Sequence, residues 1–110
     1  MAYTCILSGL EIPYGQESIE HFVPKHRAPK RIWNDPRNRF YAQYMLNAVK
    51  GDRLGCEWED IKYALTYQAL KKWNLKPEDR AFLEKAMQNW SEYHLNPCSI
   101  CLMKCKQREF

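Results

Sequence analysis

The chain predicts a single α+β domain, and three observations predict it. Its 110 residues suit one hydrophobic core and not two. Pro and Gly cut its first third into short apolar runs, the pattern of strands joined by turns. From about residue 41 onward, apolar residues recur at helical spacing instead. Composition agrees with a globule: 45% hydrophobic and 14% aromatic, without the Gly, Ser and Pro excess of a disordered chain.

In chain order, residues 3–7 and 18–23 read as strands, joined by a hairpin-like turn near residues 13–16. Residues 24–38 read as a long loop, and loops of that length in compact domains are usually functional or disordered. A helix is predicted over 41–50, with Gly51 one position past its end; residues 39–42 suit either its first turn or a short strand. A second helix, about 58–73, carries Trp58, Ile61, Leu65, Ala69 and Trp73 at helical spacing. Pro77 stands at a first helical position, and Glu78 and Asp79 complement the N-terminal end of a third helix. Its apolar stripe is Phe82, Leu83, Ala86, Met87, Trp90 and Tyr93. These aromatics read as core. Within one domain, 1–110, the parts are a strand-and-helix unit at 1–55, an extension of two additional helices at 56–95 and a cysteine-bearing tail at 96–110.

Charge is uneven. The net charge is +4, but residues 25–39 hold Lys25, Arg27, Lys30, Arg31, Arg37 and Arg39 against one acid, Asp35. Such a cluster attracts a polyanion such as nucleic acid; the plain alternative is a solvated loop. No segment has the apolar length of a membrane span, so no membrane partner is expected. The opening MAYTCILSGLEI lacks the basic lead and long apolar run of a secretory signal. A cytoplasmic, reducing location is therefore expected, in which five cysteines suggest thiols or metal ligands before disulfides.

One short run carries chemistry. In SIEHFVPK, Glu20 and His21 are neighbours in a strand-like segment stopped by Pro24. Strand alternation sends adjacent side chains to opposite faces, so the two share a site only at a bulge or at the strand's end. Asn38 follows the basic loop, and Asn47 lies nine residues later on the predicted helix.

Cys5-Ile6-Leu7-Ser8-Gly9, Glu20-His21-Phe22-Val23-Pro24-Lys25, Asn38 and Asn47-Ala48-Val49-Lys50-Gly51-Asp52, in that order, resemble the HNH endonuclease family in its HNN form. The resemblance covers about half the chain. It implies a ββα-metal core with a short antiparallel hairpin in residues 1–55, and a metal-dependent endonuclease that hydrolyses phosphodiester bonds of DNA. His21 would be the general base that activates water, since an imidazole titrating near neutrality suits proton abstraction. Glu20, where the family usually has Asp, and Asn47 would supply oxygens to Mg²⁺ or Mn²⁺, hard ions that act on phosphate as Lewis acids. Asn38 would hold the loop or bond the His21 backbone, keeping the base aimed. Lys50 and the loop cations Lys25, Arg27, Lys30, Arg31, Arg37 and Arg39 would grip the phosphate backbone.

Two departures stand out. Glu20 is one methylene longer than Asp. The paired Cys-x-x-Cys motifs that hold zinc in many members are absent: Cys5 is followed by Ser8, and Gln43 and Leu46 precede Asn47. Cys98, Cys101 and Cys105 offer three thiolates at metal-like spacing, with Cys5, His94 and Cys56 as candidates for a fourth structural zinc ligand. The alternative is three unligated cysteines on one helical face. A second functional class also fits: a non-catalytic module on the same scaffold, binding nucleic acid or inhibiting a protein. The C-terminal helices would suit a protein partner.

Overall fold

The computed structural model describes residues 2–103. The expected α+β class is what it shows: a two-stranded antiparallel sheet and several helices around one core. Strand β1 (Glu17–His21) pairs with β2 (Arg39–Gln43), with Glu17 opposite Gln43 and His21 opposite Arg39. The strand's partner differs from the sequence expectation. Residues 3–7 make only an isolated bridge, Thr4 with Glu11, because the chain turns back at once. Gly9, at φ 76°, and Leu10 close that turn on Cys5, whose N donates to Leu10 O at 2.8 Å. Only glycine fits there, since a Cβ would stand 2.3 Å from the Tyr93 ring. The turn then lies along β2, with Ile6 N donating to Tyr41 O at 2.9 Å.

Between the strands, the expected loop is a chain of short turns: 3₁₀ turns at Lys25–Arg27 and Pro36–Asn38 flank the single-turn helix α1 (Lys30–Trp33). Residues 39–42 are strand, so α2 (Tyr44–Lys50) starts three residues later than the predicted helix. Gln43 sets that start, its Oε1 accepting from Leu46 N at 2.8 Å. Gly51, at φ 62°, ends it.

Helix α3 (Gly55–Lys72) buries Trp58, Lys62, Thr66 and Ala69, while Ile61 and Trp73 are 42% and 41% exposed. The predicted stripe is therefore rotated. Lys62 is accommodated because its ammonium pairs with Glu59 at 3.0 Å and sits 4.9 Å over the Trp90 ring, so its stem buries while its charge stays matched. Helix α4 (Pro77–Asn89) begins at Pro77, as predicted, and buries Phe82, Leu83 and Ala86. Trp90, just past its end, meets Trp58 edge-on at 5.7 Å, and its Nε1 donates to Leu7 O at 2.8 Å. Tyr93 and Asn89 also donate to the N-terminal turn, at Ile6 O and Ser8 O. Helix α5 (Pro97–Ile100) packs against α3. None of the described helices is long and apolar enough to cross a membrane.

The core cluster joins Cys5 and Leu7 to Leu46, Trp58, Leu83 and Trp90, so the strand-and-helix unit and the helical extension share one interior.

Candidate functional site

His21 is the last residue of β1, and Pro24 follows the strand's end closely. That ending allows the two neighbours to share a site. Glu20 and His21 both line a cleft of about 280 Å³, together with Ile19, Pro24, Lys25, His26, Asn47, Gly51 and Asp52. Helix α2 supplies Asn47 to the opposite wall because it packs on both strands. Four of the predicted site residues, Glu20, His21, Lys25 and Asn47, are thus brought together.

The His21 imidazole meets the Trp33 ring edge-on at 6.1 Å. Partial burial lowers its pKa below the usual histidine value, and the nearby Lys25 and Arg39 charges push the same way. The direction favours the neutral ring, the form that accepts a proton.

Asn38 lies beneath the cleft and not in its lining. Its Oδ1 accepts from Val23 N at 2.7 Å, and its Nδ2 donates to Val23 O and Trp33 O at 3.0 Å each. Its backbone oxygen accepts from Phe22 N at 2.9 Å. It holds the loop, as one of the two expectations had it; its bonds go to the residues after His21.

Glu20 is 3% exposed. Its Oε1 lies 3.4 Å from Lys50 Nζ, and its Oε2 is buried without a hydrogen-bond partner. Burial pushes the Glu20 pKa up to about 7, with Lys50 opposing the rise. Burial likewise lowers Lys50, with Glu20 opposing. For both partners, desolvation outweighs their mutual attraction.

Lys50 corrects an expectation. It was assigned to phosphate, but its ammonium is fully buried and directed at Glu20 Oε1, Phe22 O and Arg53 O, at 3.4, 3.5 and 2.7 Å. The helix face that carries it turns inward under β1, so it cannot reach a polyanion. The loop arginines are also partly engaged. Arg27 forks onto Glu57 at 2.9 and 3.2 Å, tying the loop to the start of α3. Arg37 forks onto Asp35, holding that carboxyl down at about 2, and Arg39 donates to Asn34. Lys25 stands 5.0 Å over the Trp33 ring at the cleft's rim. Lys30 and Arg31 are exposed on α1.

Asn47 Nδ2 donates to Ser18 Oγ at 3.2 Å and Ile19 O at 3.4 Å. Among the described residues, no donor is directed at its Oδ1. Asn47 and Glu20 both line the cleft, and amide and carboxylate oxygens are the donor types that a hard divalent cation takes, although Glu20 Oε2 is itself buried.

Among the described residues, no three His, Cys, Asp or Glu side chains are grouped to hold a metal ion, and this applies to the expected Mg²⁺ or Mn²⁺ as well as to the expected zinc. Cys5 is fully buried and accepts from Gln43 N at 3.5 Å. Ser8, Gln43 and Leu46, where further zinc cysteines would stand, are buried beside it. Hydrogen bonds knit this region instead: Gln43 joins Leu46 N, Gln16 and Asp79, and Asp79 accepts from Tyr44 OH. Cys98 lies within α5 and Cys101 caps its C-terminal end with extended backbone, and Cys105 lies outside the described residues.

Two cleft residues had no role assigned from the sequence: His26, in the basic segment, and Asp52, the last residue of the quoted Asn47–Asp52 run, for nothing in their spacing announces that they line the same hollow.

No protein-family model matches the chain, and neither a curated protein nor a solved structure matches it.

Proposed function

We propose that this cleft is the active site of a metal-dependent HNH-type endonuclease that hydrolyses phosphodiester bonds of DNA, with the hairpin and α2 as its ββα-metal core. The observation that carries the reading is the convergence of Glu20, His21 and Asn47 on one cleft, with Asn38 stitching the loop below. His21, whose surroundings favour the neutral ring, takes the proton from a water as that water's oxygen attacks phosphorus and the bond to the leaving oxygen breaks. Glu20 Oε2 and Asn47 Oδ1 are the atoms that would hold Mg²⁺ or Mn²⁺, which supplies Lewis-acid stabilisation of the leaving oxygen when bound. Lys25, at the rim, and Lys30 and Arg31, exposed on the loop, are placed to receive neighbouring phosphates.

The test is plasmid relaxation. Supercoiled DNA incubated with the protein and Mg²⁺ or Mn²⁺ is expected to be nicked, and His21→Ala is expected to remove the nicking. Tight DNA binding without cleavage in either ion would sink the enzyme in favour of the second reading, a non-catalytic binding or inhibitor module. That reading draws on one specific observation, the engagement of Glu20 by Lys50.

A further inference from the structure

We infer that Lys50 is a positioning residue for the carboxylate of Glu20: it anchors Oε1 from inside the fold so that Oε2 is presented to a divalent cation in the cleft. This rests on the cation chemistry proposed above. An ammonium has three donors and no acceptor. In Lys50 all three are directed at oxygens, namely Glu20 Oε1, Phe22 O and Arg53 O. None remains for Oε2, which is buried and unpartnered.

A purely structural pair leaves such an orphan at a cost, because a buried charged oxygen without a partner loses its hydration and gains nothing. Lys50 approaches from below, where its side chain is 0% exposed, whereas Glu20 also lines the cleft that Asn47 faces. The carboxylate is thus fixed on one oxygen, and the other, buried and unpartnered in a residue that lines the cleft, is the one a cation would take. Backbone oxygens of Phe22 and Arg53 fix the ammonium, so the anchor is itself anchored at both ends of the site.

This arrangement also bears on the extra methylene of Glu20. A longer arm has more rotamers to lose, and a bond on one oxygen restricts where the other goes. Groups bonded behind a metal ligand act in this way, and removing one typically weakens metal affinity about 10–100-fold.

The experiment is a titration of Mn²⁺ into EDTA-treated protein, read by the paramagnetic resonance of the free ion. Lys50→Met is expected to weaken Mn²⁺ binding about 10–100-fold. Placed on top of Glu20→Gln, the same change is expected to do nothing further, since Lys50 acts on the ion only through that carboxylate. Unchanged or tighter binding in Lys50→Met overturns it, as does an equal loss in both backgrounds or no Mn²⁺ binding by the parent. Thermal melts without metal check the fold, and Lys50→Gln replaces the Met variant if that one does not melt cooperatively. A plasmid that stays supercoiled while Mn²⁺ binds would sink the nuclease reading and leave this role of Lys50 standing.

Discussion

Asn38 and Val23 grip each other twice: Val23 N donates to Asn38 Oδ1 at 2.7 Å and Asn38 Nδ2 donates back to Val23 O at 3.0 Å. This side chain clamps the neck of the fourteen-residue loop between Val23 and Asn38, beside the backbone bond from Phe22 N to Asn38 O. Removing it leaves Val23 N and O, both buried, without partners. Asn38→Ala is expected to destabilise the fold by about 2–3 kcal/mol, read from urea unfolding. A loss under about 0.5 kcal/mol would mean that the loop is closed by other contacts.

The loop's cations divide into engaged and unengaged ones. Arg37 is held on Asp35, whereas Lys30 and Arg31 are exposed on α1. If this surface binds DNA, Lys30→Ala and Arg31→Ala each lower the slope of log affinity against log salt by about 1. Arg37→Ala is expected to change it less. Equal slopes for all three variants would place the DNA elsewhere.

Gly55 opens α3 directly beneath the Phe22 ring. A Cβ there would stand 2.1 Å from Phe22 Cζ, and Phe22 is fully buried. Helix propensity alone says that Gly→Ala stabilises by about 1 kcal/mol. The steric conflict reverses the sign, and Gly55→Ala is expected to cost about 1–3 kcal/mol in chemical denaturation. A stabilised variant would show that Phe22 has room to move.

Tyr44 donates its hydroxyl to Asp79, and that bond raises its pKa to about 12. A folded pKa above the unfolded value near 10 means that the bond stabilises fully below pH 10 and is lost as pH rises toward 12. Tyr44→Phe is expected to cost about 1 kcal/mol at pH 8, the partly exposed setting reducing the effect. The difference from the parent should shrink between pH 10 and 12. A constant difference across that range would mean that the bond contributes nothing.

Much of the fold was legible because local rules wrote it. Pro77 with Glu78 and Asp79 announced the start of α4, and Gly51 announced the end of α2, since a first-turn proline and a positive-φ glycine have few other uses. The α3 stripe was less legible. Ile61 and Trp73 look like core and are half exposed, whereas Lys62 looks like surface and is buried, because Glu59 and the Trp90 ring match its charge. Trp90 belongs to a different helix, and no pattern within α3 reports it. The strand pairing failed for a related reason: residues 3–7 have strand-like composition, but Gly9 and the Tyr93 ring turn them back onto β2.

The sequence by itself determined the α+β class and the chain order in which Glu20, His21, Asn38, Asn47 and Lys50 follow; that the strand expected over 18–23 stops at His21 was decided by the structure. These depend on local backbone preference and spacing. Only the tertiary structure decided what each side chain faces. It put His21 and Asn47 on one cleft, turned Asn38 onto Val23, and drew Lys50 beneath Glu20. The reason is that burial and partnership come from elements far apart in the chain packing together. An α2 lysine lies inside only because β1 and the segment after α2 close over it, and the same closure leaves Glu20 Oε2 buried without a hydrogen-bond partner.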